Sequence, residues 1–230
     1  MPASSAPTLS IVIVTWNVWH LLEKNLERLL SLPDTVNREI FVVDNHSHDG
    51  TAHLVRERFP TVKLITNGWD AGFAGPNNQA LKHATGEVCL LLNPDMLVEP
   101  GSLDYVYATL TQDKTIGVLG ITLRNQQGAP IPGSVRRLPD FRSQLAILLK
   151  LPHVFPSVLD RYLWKDFDFS KKQDVPQVRG SFFAFRRELL DTVGYLDEGY
   201  HIWFEEVDYC LRVQQAGLRV TYDPAFSAQD

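Results

Sequence analysis

Leu9-Ser-Ile-Val-Ile-Val-Thr15 is a continuous apolar, largely β-branched run that closes on Thr15-Trp16-Asn17, and Ile40-Phe-Val-Val-Asp44 repeats the pattern further on. Runs of this kind suit strands buried on both faces, as in a parallel sheet covered by helices. Between them Leu21, Leu22, Leu26, Leu29 and Leu30 recur at helical spacing, and Pro33 ends that helix. Asp49-Gly-Thr51 caps a helix that runs to Phe59, ahead of Pro60. Val62–Thr66 reads as the third strand. Pro76–Ala84 reads as a short helix with proline in its first turn and Gly86 beyond its end. Glu87–Leu92 is the fourth strand, stopped by Asn93-Pro94. Strands alternating with helices predict an α/β fold of βαβ units with right-handed crossovers.

In such sheets ligand-binding residues gather where the strands end. That rule singles out Thr15–Asn17, Asp44–Asp49, Asn67–Phe73 and Asn93–Asp95, each polar or glycine-rich directly after an apolar run. The segments are expected to line one crevice. The second half is less regular. Gly101–Leu110 reads as a helix and Ile116–Leu119 as a strand, while the prolines and glycines of 125–140 predict loop. Arg142–Leu151 and Ser157–Trp164 read as short amphipathic helices, Val178–Arg186 as a β-prone run, Glu205–Ala216 as a helix and Leu218–Tyr222 as the final strand.

The chain of 230 residues is 44% hydrophobic with a formal net charge of −5, enough apolar content for a sizeable core and no broad basic footprint for nucleic acid. Two cysteines, Cys89 and Cys210, make no disulfide framework and read as small buried hydrophobes. Met1–Thr8 reads as a disordered lead-in without signal-peptide character, and no apolar stretch approaches the ~18 residues of a membrane span. A soluble, cytoplasmic chain is expected. Gly-x-Gly-x-x-Gly, phosphate-loop and Gly-x-Ser-x-Gly patterns are absent, which counts against dinucleotide oxidoreductases, P-loop NTPases and α/β-hydrolases. A nucleotidyltransferase would call for a glycine-rich, basic triphosphate loop near residue 17, and there is none. His46 and His48 read as solvated loop residues.

Three polar clusters remain, each with two readings. Asp44 either accepts hydrogen bonds from a ligand such as a pyrimidine base or caps its own turn. Asn93-Pro94-Asp95 either is a plain turn or presents one carboxylate to a divalent cation bound to a diphosphate. In Trp203-Phe-Glu-Glu-Val-Asp208, Glu205 and Glu206 suit a helix start and Asp208 can pair with Arg212. Carboxylates beside Tyr200, Trp203 and Phe204, aromatics expected to be partly buried, also suit a general base acting on a hydroxyl.

Taken in order, six segments resemble the inverting family 2 glycosyltransferases of the GT-A fold, in particular their rhamnosyltransferase-like branch. They are Ser10–Asn17, Val42–Thr51, Asn67–Asn78, Leu90–Asp95, Val178–Phe185 and Gly194–Asp197 followed by Phe204–Asp208, spread over about residues 9 to 222. The resemblance implies a Rossmann-like, mostly parallel central sheet flanked by helices in a single domain over 9–230. A nucleotide-sugar half spans 9–98, and an acceptor half spans 99–230 with a helical insertion at 138–169. It implies that Thr15 and Asn17 border the nucleotide and Asp44 binds its base. Asn67, Gly72, Phe73, Asn77, Asn78 and Asn93 would shape the donor pocket, and Asp95 would hold Mg²⁺ or Mn²⁺. Glu206 matches the base position, with Glu205 and Asp208 as alternatives. Many relatives carry a histidine soon after the last strand; Asp223–Asp230 has none, so Asp223 or another group would substitute.

The activity implied is transfer of a sugar, L-rhamnose from dTDP-L-rhamnose or else the sugar of a UDP-sugar, to a hydroxyl of a cell-surface polysaccharide or lipid-linked glycan. The alternative is a catalytically inactive nucleotide-sugar binding module. Leu145, Ile147, Leu148, Leu149, Leu151, Val154 and Phe155, with Arg142, Lys150 and Arg161, either rest on the inner face of a membrane or pack on the domain or a second subunit.

Overall fold

The computed structural model describes residues 8–230, so residues 1–7 of the anticipated lead-in lie outside the described residues. In chain order the elements are β1 (Leu9–Thr15), α1 (Trp19–Ser31), β2 (Arg38–Asp44), α2 (Thr51–Arg58), β3 (Lys63–Thr66), α3 (Ala74–Leu81) and β4 (Val88–Leu92). Then come β5 (Leu97–Val98), α4 (Ser102–Gln112), β6 (Ile116–Arg124), β7 (Val135–Arg136), α5 (Phe141–Leu148), β8 (Gln173–Asp174) and β9 (Gln177–Val178). The last are β10 (Phe182–Arg186), α6 (Leu189–Thr192), α7 (Glu205–Gln215) and β11 (Arg219–Gln229).

The apolar runs form the middle of the sheet, as their two-faced burial requires. β1 pairs in parallel with β2, from Leu9 opposite Arg38 to Thr15 opposite Asp44, and with β4 on its other side; β3 extends β2 in parallel. The main sheet runs β3-β2-β1-β4-β10-β6-β11-β5, with β8 also on β11. On one face Ile11 and Ile13 meet Leu22, Leu26 and Leu29 of α1; on the other Val12, Phe41 and Val43 share a cluster with Ala80 and Leu81 of α3.

The second half departs from the sequence reading in ways with identifiable causes. Val178–Arg186 is not one strand. The turn Arg179-Gly180-Ser181 splits it into β9, which pairs with β7 in a separate ribbon, and β10, which runs antiparallel to both β4 and β6. The final strand does not stop at Tyr222. It is irregular between Asp223 and Ser227, around Pro224, and resumes its parallel pairing with β6 through Gln229. Within 138–169, Asp140 and Ser143 cap α5 reciprocally, but the helix stops at Leu148, short of the expected Leu151. The expected helix Ser157–Trp164 is a 3₁₀ turn at Pro156–Leu159 followed by further turns. Two-residue strands such as β5 and β8 carry too little periodicity to be seen in advance.

Near the N-terminal ends of β1 to β4 sits a buried carboxylate, Glu39. It accepts hydrogen bonds from Ser10 Oγ (2.6 Å), Thr85 N (2.7 Å) and Lys63 Nζ (2.5 Å). Burial works to raise its pKa, but the bonds from Lys63, Ser10 and Thr85 outweigh it and hold the group at about 2. A carboxyl with a depressed folded-state pKa stabilises the protein above its unfolded value and loses that contribution as pH falls towards the folded one. Because Lys63 is half exposed, the contribution is about 1–3 kcal/mol at neutral pH. Glu39→Gln is expected to lower the melting temperature at pH 7, with the gap to wild type closing between pH 4.5 and 2; calorimetry across that range checks it.

Candidate active site

The segments after β1 and β2 and the 67–72 loop are joined by hydrogen bonds, and a buried side chain, Asn45, ties the last two together. Asn45, directly after β2, is 2% exposed. Its Nδ2 donates to Asp70 Oδ1 (2.5 Å) and to the Gly72 carbonyl (3.1 Å). Its Oδ1 accepts from Asn67 Nδ2 (3.2 Å) and Ala71 N (3.0 Å). One amide thereby fixes the whole 67–72 loop against the end of β2. The loop after β1 is fastened to the same place: Ser47 Oγ accepts from Asn17 N, Asn17 Oδ1 from His48 N, and Asp49 Oδ2 from Trp19 N. Asn17 and His46 both take the left-handed backbone conformation there, at φ +54° and +69°, a strain that commonly marks binding sites.

Asp44 is buried and its Oδ1 accepts from Ser47 N (3.2 Å), so the turn-capping role is present. Thr15 is buried opposite it in register, with an Oγ1 that has no hydrogen-bond partner. Asn77 and Asn78 sit on α3 and serve the protein itself. Asn77 Nδ2 donates to the Phe73 carbonyl, while Asn78 bonds the Leu196 backbone in both directions and reaches Glu198. His46 and His48 are exposed and pack edge to face. Cys89 and Cys210 are both buried, and desolvation pushes each thiol up to about 12.

The acidic cluster opens onto a cavity of about 190 Å³ lined by Phe73, Asn93, Arg179, Ser181, Glu205 and Glu206 among others. Glu205 is 4% exposed, and its Oε2 is buried without a partner. Burial, reinforced by the charge of Glu206, pushes its pKa up to about 7. Glu206 is also raised by burial, against the pull of Arg136 and Arg179, and it alone of the three carboxylates also borders a second cavity of about 400 Å³. That cavity lies between the start of α7 and the insertion, with Gln144, Ile147 and Tyr162 on its far wall. Asp208 lines neither cavity. Its Oδ2 is bound by Arg212, as i to i+4 spacing allows.

Of the aromatics before α7, Phe204 is partly buried as expected, and Trp203 is not. Trp203 is 76% and Tyr200 39% exposed. Trp203 and Phe204 stand at φ +70° and +75°, a reversal that sets both at the wall of the larger cavity rather than in the core. The same loop is held by Phe73 N, which donates to the His201 carbonyl (2.8 Å).

Asn93 N and Nδ2 donate to the Ser181 carbonyl and Oγ. Asp95 keeps a buried Oδ1 without a partner, and burial together with Asp230 raises its pKa against the pull of Arg179. Among the described residues no three histidines, cysteines or carboxylates gather as a metal cluster. An orphaned carboxylate oxygen in a polar turn nonetheless fits one ligand to a divalent cation. Asp223, the anticipated substitute for a histidine after the last strand, is committed elsewhere, to Tyr105 (2.6 Å) and Lys172 (2.8 Å).

A helix-flanked, mostly parallel sheet, with polar strand ends facing a carboxylate-lined cavity, is the architecture of a GT-A glycosyltransferase. The family model described as glycosyl transferase family 2 matches residues 10–194, and the chain belongs to that family. It is 27% identical over 230 residues to the N-acetylglucosaminyl-diphospho-decaprenol L-rhamnosyltransferase of Mycobacterium tuberculosis, covering 94% of this chain and 74% of that protein. It is 26% identical over 226 residues to rhamnosyltransferase WbbL of Escherichia coli K12, covering 95% and 81%. Among solved structures it resembles mannosyltransferase PcManGT from Pyrobaculum calidifontis in complex with GDP-Man and Mn²⁺, with a TM-score of 0.69 at 23% identity. All of this chain is covered in that comparison, but it spans only 59% of the PcManGT chain.

Arg179, Ser181 and Asn45 carry no local mark in the sequence; only their placement in space distinguishes them. Gly72 can be tested directly. It stands at φ +74°, and a Cβ there would lie 2.1 Å from the His201 carbonyl oxygen. Gly72→Ala is therefore expected to displace the His201–Phe204 loop and weaken nucleotide binding at least tenfold, roughly 1.4 kcal/mol or more, with the fold retained by circular dichroism. Titration calorimetry reads the affinity.

Proposed function

We propose that the chain transfers a sugar from a pyrimidine nucleoside-diphosphate donor to an acceptor hydroxyl, with inversion at the anomeric carbon. The observation that carries this is Glu206, a carboxylate with a raised pKa that borders both the cavity at the strand ends and the larger one under the insertion. A base so placed takes the proton of an acceptor hydroxyl lying in one cavity while its oxygen attacks a donor in the other. A single base opposite the leaving group suffices for inversion.

Asp44, Thr15 and Asn17 bind the nucleoside, with the pairing needs of Thr15 Oγ1 met by the ligand. The Asn45-braced 67–73 loop closes the pocket for the sugar. A divalent cation, Mg²⁺ or Mn²⁺, when bound through Asp95, neutralises charge on the donor diphosphate. Glu205, largely protonated below pH about 7, donates a hydrogen bond into the same cavity. The rhamnosyltransferase relatives favour L-rhamnose from dTDP-L-rhamnose, with UDP-sugars next, and a lipid-linked glycan as acceptor.

Transfer is tested with dTDP-L-rhamnose and UDP-sugars against a lipid-linked or model acceptor. Glu206→Gln is expected to keep donor affinity and cut kcat by ~10²–10⁴. Because burial raises the Glu206 pKa, wild-type kcat/KM should fall on the acid side at a pH above the ordinary carboxylate range. Near-normal turnover in Glu206→Gln would move the base to Glu205, and bound donor with no transfer by either protein would favour the inactive binding module.

The insertion bears on where the acceptor arrives. Only Ser143 and Ala146 of α5 are buried, whereas Phe141, Leu148, Val154 and Phe155 are exposed beside Arg142 and Lys150. No helix among the described residues is long and apolar enough to cross a membrane. An apolar patch edged by basic residues suits a peripheral seat on an anionic bilayer. The wild-type chain is expected to sediment with phosphatidylcholine–phosphatidylglycerol vesicles, and Leu148→Asp/Phe155→Asp to remain in solution. A wild-type dimer that ignores vesicles and becomes monomeric in the double variant would assign this face to a second copy instead.

A further inference from the structure

We infer that Arg179 binds the donor diphosphate and stabilises it as the leaving group. The assignment rests on the transfer function proposed above and adds a residue to it. The cavity of about 190 Å³ is crowded with acidic groups: Glu205 and Glu206 line it, and Asp95 stands close enough to feel the same guanidinium. Arg179 is the one basic side chain in its lining. Among the described residues it takes part in no ion pair within 4.0 Å, although its charge acts on both Asp95 and Glu206. Three other arginines of this half are spent on the protein: Arg186 on Glu188 and backbone carbonyls, Arg212 on Asp208 and the Val193 and Tyr195 carbonyls, Arg219 on Asp113 and Asp174.

Its backbone is fixed while its head stays free. Arg179 N donates to the Ser134 carbonyl (3.0 Å), and its own carbonyl accepts from Phe182 N, which closes the turn into β10. Gly180 lies against the site, where a Cβ would be in ordinary contact with Phe73 and Glu206 Cβ at 3.7 and 3.8 Å.

The chemistry gives such a cation its task. As the acceptor O–H passes its proton to Glu206, the oxygen bonds to the anomeric carbon. The bond from that carbon to the diphosphate oxygen breaks, and its electron pair leaves with the nucleoside diphosphate. The departing group gains a negative charge in a cavity that already holds carboxylates. A guanidinium offers paired N–H donors matched to phosphate oxygens. Developing charge is best met by a group already in place, here one set on a fixed turn.

The test compares the intact wild-type chain with Arg179→Gln and Arg179→Lys, each first shown to melt at the wild-type temperature. Thymidine and dTDP, and uridine and UDP, are titrated with Mn²⁺ and again with EDTA. Arg179→Gln is expected to lose ~10–100-fold in nucleoside-diphosphate affinity, the range of a charge-assisted hydrogen bond, while nucleoside affinity stays unchanged. Arg179→Lys should recover part of the loss, and kcat with the sugar donor should fall in Arg179→Gln. Equal diphosphate affinity in wild type and Arg179→Gln overturns the assignment and leaves the transferase function standing. Loss of nucleoside and diphosphate binding together overturns it as well, since the residue would then shape the whole pocket. Wild-type protein that binds neither nucleoside nor diphosphate defeats both proposals at once.

Discussion

The antiparallel pairing of Phe182–Arg186 with Val88–Leu92 is the constraint on which the site depends. Antiparallel neighbours set the start of one strand beside the end of the other. Phe182 opposite Leu92 therefore brings Arg179-Gly180-Ser181 against Asn93-Pro94-Asp95, and the contact is made firm by two hydrogen bonds from Asn93 to Ser181. Were β10 parallel to β4, its leading turn would lie at the opposite edge of the sheet. The cation and the polar strand end would then never share a cavity. The same pairing joins the regular first half to β6 and β11, so one strand both completes the sheet and completes the site.

Around that junction the protein carries polar groups that it does not satisfy internally. Thr15 Oγ1, Asp95 Oδ1 and Glu205 Oε2 are buried without partners. Each would ordinarily cost about 1–3 kcal/mol, and Glu205 faces the cavity of about 190 Å³ directly. Trp203 and Phe204, both at positive φ, add backbone strain to the same region. The rest of the sheet is satisfied by contrast. Glu39 is saturated with donors, and Arg186 is bonded to Glu188 and to the Leu110, Lys114 and Ile116 carbonyls. Stability and function thus draw on different ends of the strands: the N-terminal edge holds a closed network, the C-terminal edge open valences.

Much of the first half was legible from the chain alone. β1, β2, β3 and β4 fall within a residue or two of the runs that signalled them; for β1, β2 and β4 a strand buried on both faces writes its burial directly into residue type, while β3 is a part-exposed edge strand. The polar strand ends were legible too, since polar residues following such runs have few places to go other than the sheet edge. Asn45 escaped notice because one asparagine among polar neighbours carries no local mark. Its importance lies in four partners brought to it by β2 and the 67–72 loop. Of the carboxylates, Asp208 was already legible as a partner of Arg212 and Glu206 as the match to the base position, and helical phase agrees: Asp208 turns to Arg212 while Glu205 and Glu206 face the cavity.

The sequence by itself determined the α/β class, the order of the leading strands and which loops would carry polar chemistry, because these follow from local periodicity and from where apolar runs stop. Only the tertiary structure decided that β10 enters the sheet antiparallel, that β11 resumes beyond Pro224, and that the apolar side of α5 stays uncovered. It also decided which carboxylates are desolvated and which cation lines their cavity. Strand pairing, desolvation and charge neighbourhood are properties of groups far apart in the chain, and their energies exist only once the backbone has brought those groups together.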